Sequence, residues 1–102
     1  MHRTTLERRL SDAHARLVRA RAELAVLDEQ SVVVNEMADD TRRRALVAET
    51  PLASKEHDEA SRHATVMLRT RAALVEQIEE LERRQNELLD QLVVDPGRPA
   101  SA

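Results

Sequence analysis

One feature constrains this chain above all others: apolar residues recur at alternating steps of four and three, and the pattern breaks once, at Pro51. From Leu6 the stripe reads Leu6, Leu10, Ala13, Leu17, Ala20, Leu24, Leu27, Ser31, Val34, Ala38, Thr41, Ala45, Ala48. It resumes as Ala53, His57, Ala60, Ala64, Met67, Arg71, Leu74, Ile78, Leu81, Gln85, Leu88, Leu92. A mean step of 3.5 keeps one face of an α-helix turned toward a neighbouring helix, so each half predicts one strand of a coiled coil.

The break reads Glu49-Thr50-Pro51-Leu52-Ala53-Ser54. A residue before proline disfavours the α region, which ends the first helix near Glu49. Thr50 is then a helix cap with Pro51 at the first helical position, where a missing N–H costs nothing. Ser54 is a competing cap. A loop this short turns the helices antiparallel. The fold class expected is therefore all-α: a long antiparallel two-helix coiled-coil hairpin, dimerising into a four-helix bundle. One domain is expected over 1–95, with helix 1 at about 4–49, the turn at about 50–54, helix 2 at about 51–94, and a disordered tail, 96–102. Asp39-Asp40-Thr41 also offers a cap for a short extra helix. The register stays open: facing residue numbers add to about 101–102 if helix 2 starts at Pro51, and to about 105 if Ser54 caps it.

Composition narrows the chemistry. The chain has no Phe, Trp, Tyr or Cys and a single glycine, Gly97. That removes thiolate metal sites, aromatic base-stacking platforms and glycine-rich phosphate loops. Ser11, Ser31, Ser54 and Ser61 have no nearby base in a concave setting, and a thin hairpin has no pocket to desolvate one. No catalytic residue, cofactor or metal is expected, and the chain reads as no enzyme. The net charge of -3 is interspersed, and the acids at 36, 39, 40 and 49 neutralise Arg42-Arg43-Arg44. Nucleic acid is accordingly not the expected partner. Charge is nonetheless segregated by end. Residues 1–25 carry six arginines against Glu7, Asp12 and Glu23, and residues 76–95 carry seven acids against Arg83 and Arg84. Two such segments attract when they lie side by side. No run approaches the ~18 apolar residues of a membrane span, and the first residues lack the apolar core of a signal peptide. A cytoplasmic protein with no membrane partner is expected.

The seam is unevenly filled. Near the termini it is rich in leucine, whereas near the turn it is Ala38, Thr41, Ala45, Ala48, Ala53, Ala60 and Ala64. Small residues bury little area. Between these regions lie apolar residues outside the stripe: Val26, Val32, Val33, Met37, Val66, Leu68, Ala72 and Val75. A two-helix unit cannot bury them alone, so they are the candidate dimer or partner surface. Four polar residues, Ser31, His57, Arg71 and Gln85, interrupt the seam and are candidates for fixing register or oligomeric state.

Glu49, Glu56, Asp58 and Glu59 form an acidic tip around the turn. Acids there can present a hard cation to another enzyme. In outline this resembles the bacterial transcript-cleavage factors, whose coiled-coil tip enters the RNA polymerase secondary channel. Their tip joins an Asp-Leu turn to a closely following Glu-Asn, and Thr50-Pro51-Leu52-Ala53-Ser54-Lys55-Glu56-His57 departs from that motif. The hairpin also resembles the small substrates of type VII secretion, but lacks their Trp-x-Gly turn and carboxyl-terminal Tyr signal. The expected function is a coiled-coil interaction, adaptor or regulatory protein acting through self-association or a protein partner. An acidic-tipped factor acting on a larger enzyme such as RNA polymerase is one alternative. A ligand-sensing bundle, with Ser31, Arg71 and Gln85 meeting across a dimer, is the other.

Overall fold

The computed structural model describes residues 2–94. Helix α1 spans Arg3–Ala48 and helix α2 spans Pro51–Val94; Glu49 and Thr50 alone join them into an all-α hairpin. α1 runs unbroken through Asp39-Asp40-Thr41, so no extra helix begins there. The tail 96–102 lies outside the described residues. No described helix is long and apolar enough to cross a membrane.

Two local devices make the turn. Glu49 adopts a left-handed conformation, φ 54°, and its N–H donates to the Ala45 carbonyl at 3.1 Å. That closes the last turn of α1 as an αL cap, at a position where glycine is the usual occupant. Thr50 Oγ1 accepts the Ala53 N–H at 3.2 Å, and the Thr50 carbonyl accepts the first helical bond of α2, from the Ser54 N–H at 3.1 Å. Thr50 is therefore the cap, with Pro51 behind it, and Ser54 is inside the helix.

Packing follows the stripe. Its positions from Leu6 to Ala45 and from Ala53 to Leu92 are all buried or half-buried, while Ala48 is exposed. Among the described residues, only Thr5, Ser61, Val75 and Glu82 join them from outside the stripe. Contacts within the fold divide it into two units.

The first unit pairs 3–22 with 75–94. Leu6, Ala13, Leu17, Ala20, Ile78 and Leu88 are buried, and Leu6 and Leu17 are 1% exposed. Leu6, Ala13 and Leu88 form one cluster, with Leu10 and Leu92 packed against it. Leucine alternating with alanine lets a large side chain enter the space a small one leaves. Arg21 donates to Glu82 Oε2 at 2.8 Å, joining the basic start of α1 to the acidic end of α2. His14 Nδ1 lies 3.3 Å from Gln85 Oε1.

The second unit is Glu23–Leu74, the hairpin around the turn. Only Thr41, Ala53 and Leu74 are buried in it; the other seam residues from Leu24 to Ala45 and from His57 to Arg71 are half-buried. Thr41 satisfies its hydroxyl within α1, donating to the Met37 carbonyl at 2.8 Å and contacting the Ala38 carbonyl at 3.1 Å. The many alanines and short polar side chains of this seam bury little apolar area, and even Leu24, Leu27, Val34 and Met67 stay half-buried beside them.

The pairs that cross between helices fix the register. His14–Gln85, Arg21–Glu82 and Asp28–Arg71 have residue numbers adding to 99, 103 and 99. These sums sit beside the 101–102 expected for a helix starting at Pro51 and away from 105.

Candidate interaction surface

Each residue of an α-helix advances about 100° around the axis. A residue one after a stripe position therefore lies on one flank of the seam, and a residue one before it lies on the other. Because α2 runs antiparallel to α1, the following residues of both helices share a flank. This sorts the exposed apolar side chains of the 23–74 unit into two groups. Val32, Leu46, Leu68 and Ala72 follow stripe residues, whereas Val26, Val33, Met37, Val47, Leu52 and Val66 precede them. The apolar surplus expected from the sequence is thus divided between the two flanks of the hairpin. Val75 belongs to neither: it is half-buried, next to buried Leu74, and lies in the other unit.

The exposure is large for apolar side chains. Val33 is 62% exposed, Leu68 70% and Val47 86%. Leu46, Val47 and Leu52 extend the apolar surface to the turn, where sequence reasoning looked only for charge. Their signal was present, since each is adjacent to an alanine of the stripe and not on it.

Grooves lie along these flanks. On the following flank, a groove of about 370 Å³ is lined by Asp28, Ser31 and Asn35 from α1 and by Ala64, Thr65, Met67, Leu68 and Arg71 from α2. On the preceding flank, one of about 450 Å³ is lined by Met37, Thr41, Arg44, Glu56, Glu59, Ala60 and His63. Beside the turn, another of about 460 Å³ is lined by Val47, Ala48, Thr50, Leu52 and Ala53 together with Arg43, Arg44 and Glu56.

The polar seam residues each have their own hydrogen-bond partner. Ser31 Oγ donates to the Leu27 carbonyl of its own helix at 2.8 Å. His57 Nδ1 is 3.4 Å from Ser61 Oγ. Arg71 Nε donates to Asp28 Oδ1 at 2.6 Å across the seam. That hydrogen bond first, and the Asp28 charge second, raise the Arg71 pKa above its ordinary value, so it remains a cation. Ser31 and Arg71 line one groove, whereas Gln85 pairs with His14 in the other unit.

The tip acids divide as well. Glu56 and Glu59 precede stripe residues and line the preceding-flank groove, Asp58 follows one and lies on the opposite flank, and Glu49 sits in the turn outside either helix. Among the described residues, no group of three or more His, Cys, Asp or Glu side chains comes together to hold a metal ion. In the Arg42-Arg43-Arg44 run, Asp40 pairs with Arg44 and, at 4.0 Å, with Arg43. No protein-family model matches the chain, nor does any curated protein or solved structure.

Proposed function

We propose that this chain is a non-enzymatic interaction module, adaptor or regulatory in role, that acts by presenting its 23–74 hairpin to other helices. The supporting observation is the combination of a half-open seam with large apolar side chains exposed on both flanks of that unit. Large apolar side chains left exposed in number on an otherwise charged surface are the usual mark of an association site. A second copy is the first occupant, completing a four-helix bundle, and a protein partner takes the flank the second copy leaves open. The reading assigns no substrate, cofactor, membrane or nucleic acid.

The test is the oligomeric state of the wild type and of the Val33→Glu, Leu68→Glu double variant, which places one charge on each flank. Sedimentation velocity at micromolar concentration is expected to give a dimer for the wild type and a folded monomer for the variant. Affinity capture from the native host with both proteins is expected to lose its partner with the variant. A stable, helical wild-type monomer at tens of micromolar concentration defeats the self-association reading.

A further inference from the structure

We propose that the flank carrying Asp28 and Arg71 is the homodimer face, where a second copy docks about a two-fold axis and the two charges pair between copies. The inference rests on reading the 23–74 unit as self-associating, and adds which flank meets its mate and what sets the register.

A two-fold interface must be complementary to itself, because residue i of one copy meets j of the other while j meets i. The groove on this flank satisfies that condition. Its only charges are one acid and one base, Asp28 on α1 and Arg71 on α2. The remaining lining is uncharged, and Leu68 stands 70% exposed in it. The groove on the opposite flank carries Glu56 and Glu59 against Arg44, a surplus of negative charge that a two-fold contact doubles.

The existing ion pair leaves capacity for a second partner. The side chains of Arg71 and Asp28 are 44% and 47% exposed. Their 2.6 Å bond uses one of the five N–H donors of the guanidinium and one of the carboxylate's several acceptor sites. Within one hairpin such a pair adds little, and it occupies a seam position where leucine would bury more area. Between two copies the same residues form a four-charge cluster in an apolar surround. A shift in register leaves those charges unpaired, as with polar residues that fix register in coiled coils. Val32, on the same flank, supplies apolar contact beside the cluster.

Charge exchange in the full-length chain tests this. Asp28→Arg and Arg71→Asp are each expected to weaken dimerisation at least about tenfold, because each places like charges across the interface. Mixed in equal amounts, the two variants are expected to recover wild-type affinity as a heterodimer. One copy then carries two cations at these positions and the other carries two anions. A pair acting only within each chain gives no such rescue, because each variant keeps its own repulsion on mixing. The double variant, with Asp28→Arg and Arg71→Asp in one chain, is expected to dimerise as the wild type does. Circular dichroism confirms that every variant is helical. The same mixing on the opposite flank, Glu59→Arg with Arg44→Glu, is expected to leave association unchanged. Single variants that dimerise as tightly as wild type, failed rescue between helical variants, or rescue only on the opposite flank overturn the assignment of this face. Dimerisation lost in the Val33→Glu, Leu68→Glu variant but indifferent to Asp28 and Arg71 leaves the interaction module standing without it. A monomeric wild type removes both.

Discussion

The paired ends of the two helices, 3–22 with 75–94, and the hairpin of 23–74 are built on one repeat but filled differently. In the first unit Leu6, Leu17, Ile78 and Leu88 are buried, and Arg21 pairs with Glu82 across the helices beside them. In the second the same repeat carries alanine, threonine, serine, histidine and arginine between Leu24, Leu27, Val34, Met67 and Leu74, and most seam positions stay half-buried. The exposed apolar side chains are concentrated in that second unit. A repeat thus specifies which face packs, whereas side-chain volume decides how much stability the packing yields. One unit has a largely completed interior. The other presents its unfinished interior as a surface.

The largest test of that contrast is a pair of truncations. Leu17→Ala, at a site 1% exposed, is expected to lower stability by about 3 kcal/mol through lost burial and a cavity. Leu27→Ala, at a half-buried site of the 23–74 unit, is expected to cost about 1 kcal/mol in the dilute protein. Urea denaturation followed by circular dichroism compares them, and equal costs would erase the distinction between units.

Hydrogen exchange sharpens the same point. Amides of 57–71 are expected to exchange at least about tenfold faster than those of 78–88 in dilute solution, since local opening follows local burial. Raising the concentration is expected to slow exchange of the first segment selectively. Uniform protection at every concentration would count against an unfinished interior.

The turn gives smaller, opposite effects. Glu49→Gly is expected to stabilise by about 1 kcal/mol, because glycine carries no penalty at positive φ. Thr50→Ala is expected to destabilise by about 1 kcal/mol through loss of the cap to the Ala53 N–H. Thermal melts of both variants read the two signs directly.

Smallest is the exposed ion pair of the first unit. Arg21→Ala is expected to cost about 0.5 kcal/mol at low salt. The effect should vanish near 1 M salt, where the screening length falls to about 3 Å. A large, salt-insensitive cost would show that charge, and not leucine packing, holds that unit together.

Much of this was legible in the residues themselves. The four-three stripe specified two helices and the face each one buries, because burial in a coiled coil is periodic and periodicity is a property of sequence. The place of the break was legible for an equally local reason, since a cap and a proline act within one helical turn, although Thr50 and Ser54 competed as the cap of α2. The candidate surface was legible only in part. Val33 and Leu68 were recognisable as surplus apolar residues that one seam cannot bury, and their exposure of 62% and 70% agrees. Leu46, Val47 and Leu52 escaped notice beside the conspicuous acids Glu49, Glu56 and Asp58.

By itself, then, the sequence determined the helices, their packing faces, the place of the turn and the shortage of bulk near it, all of which depend on residues within a few positions of one another. Only the tertiary structure chose the register, divided the seam into a tightly packed and a half-open unit, and joined Asp28 to Arg71 across it. Those outcomes depend on which α1 residue stands opposite which α2 residue. Two capping signals four residues apart, at Thr50 and Ser54, left that undecided until the cap geometry at Thr50 and the three cross-helix pairs resolved it.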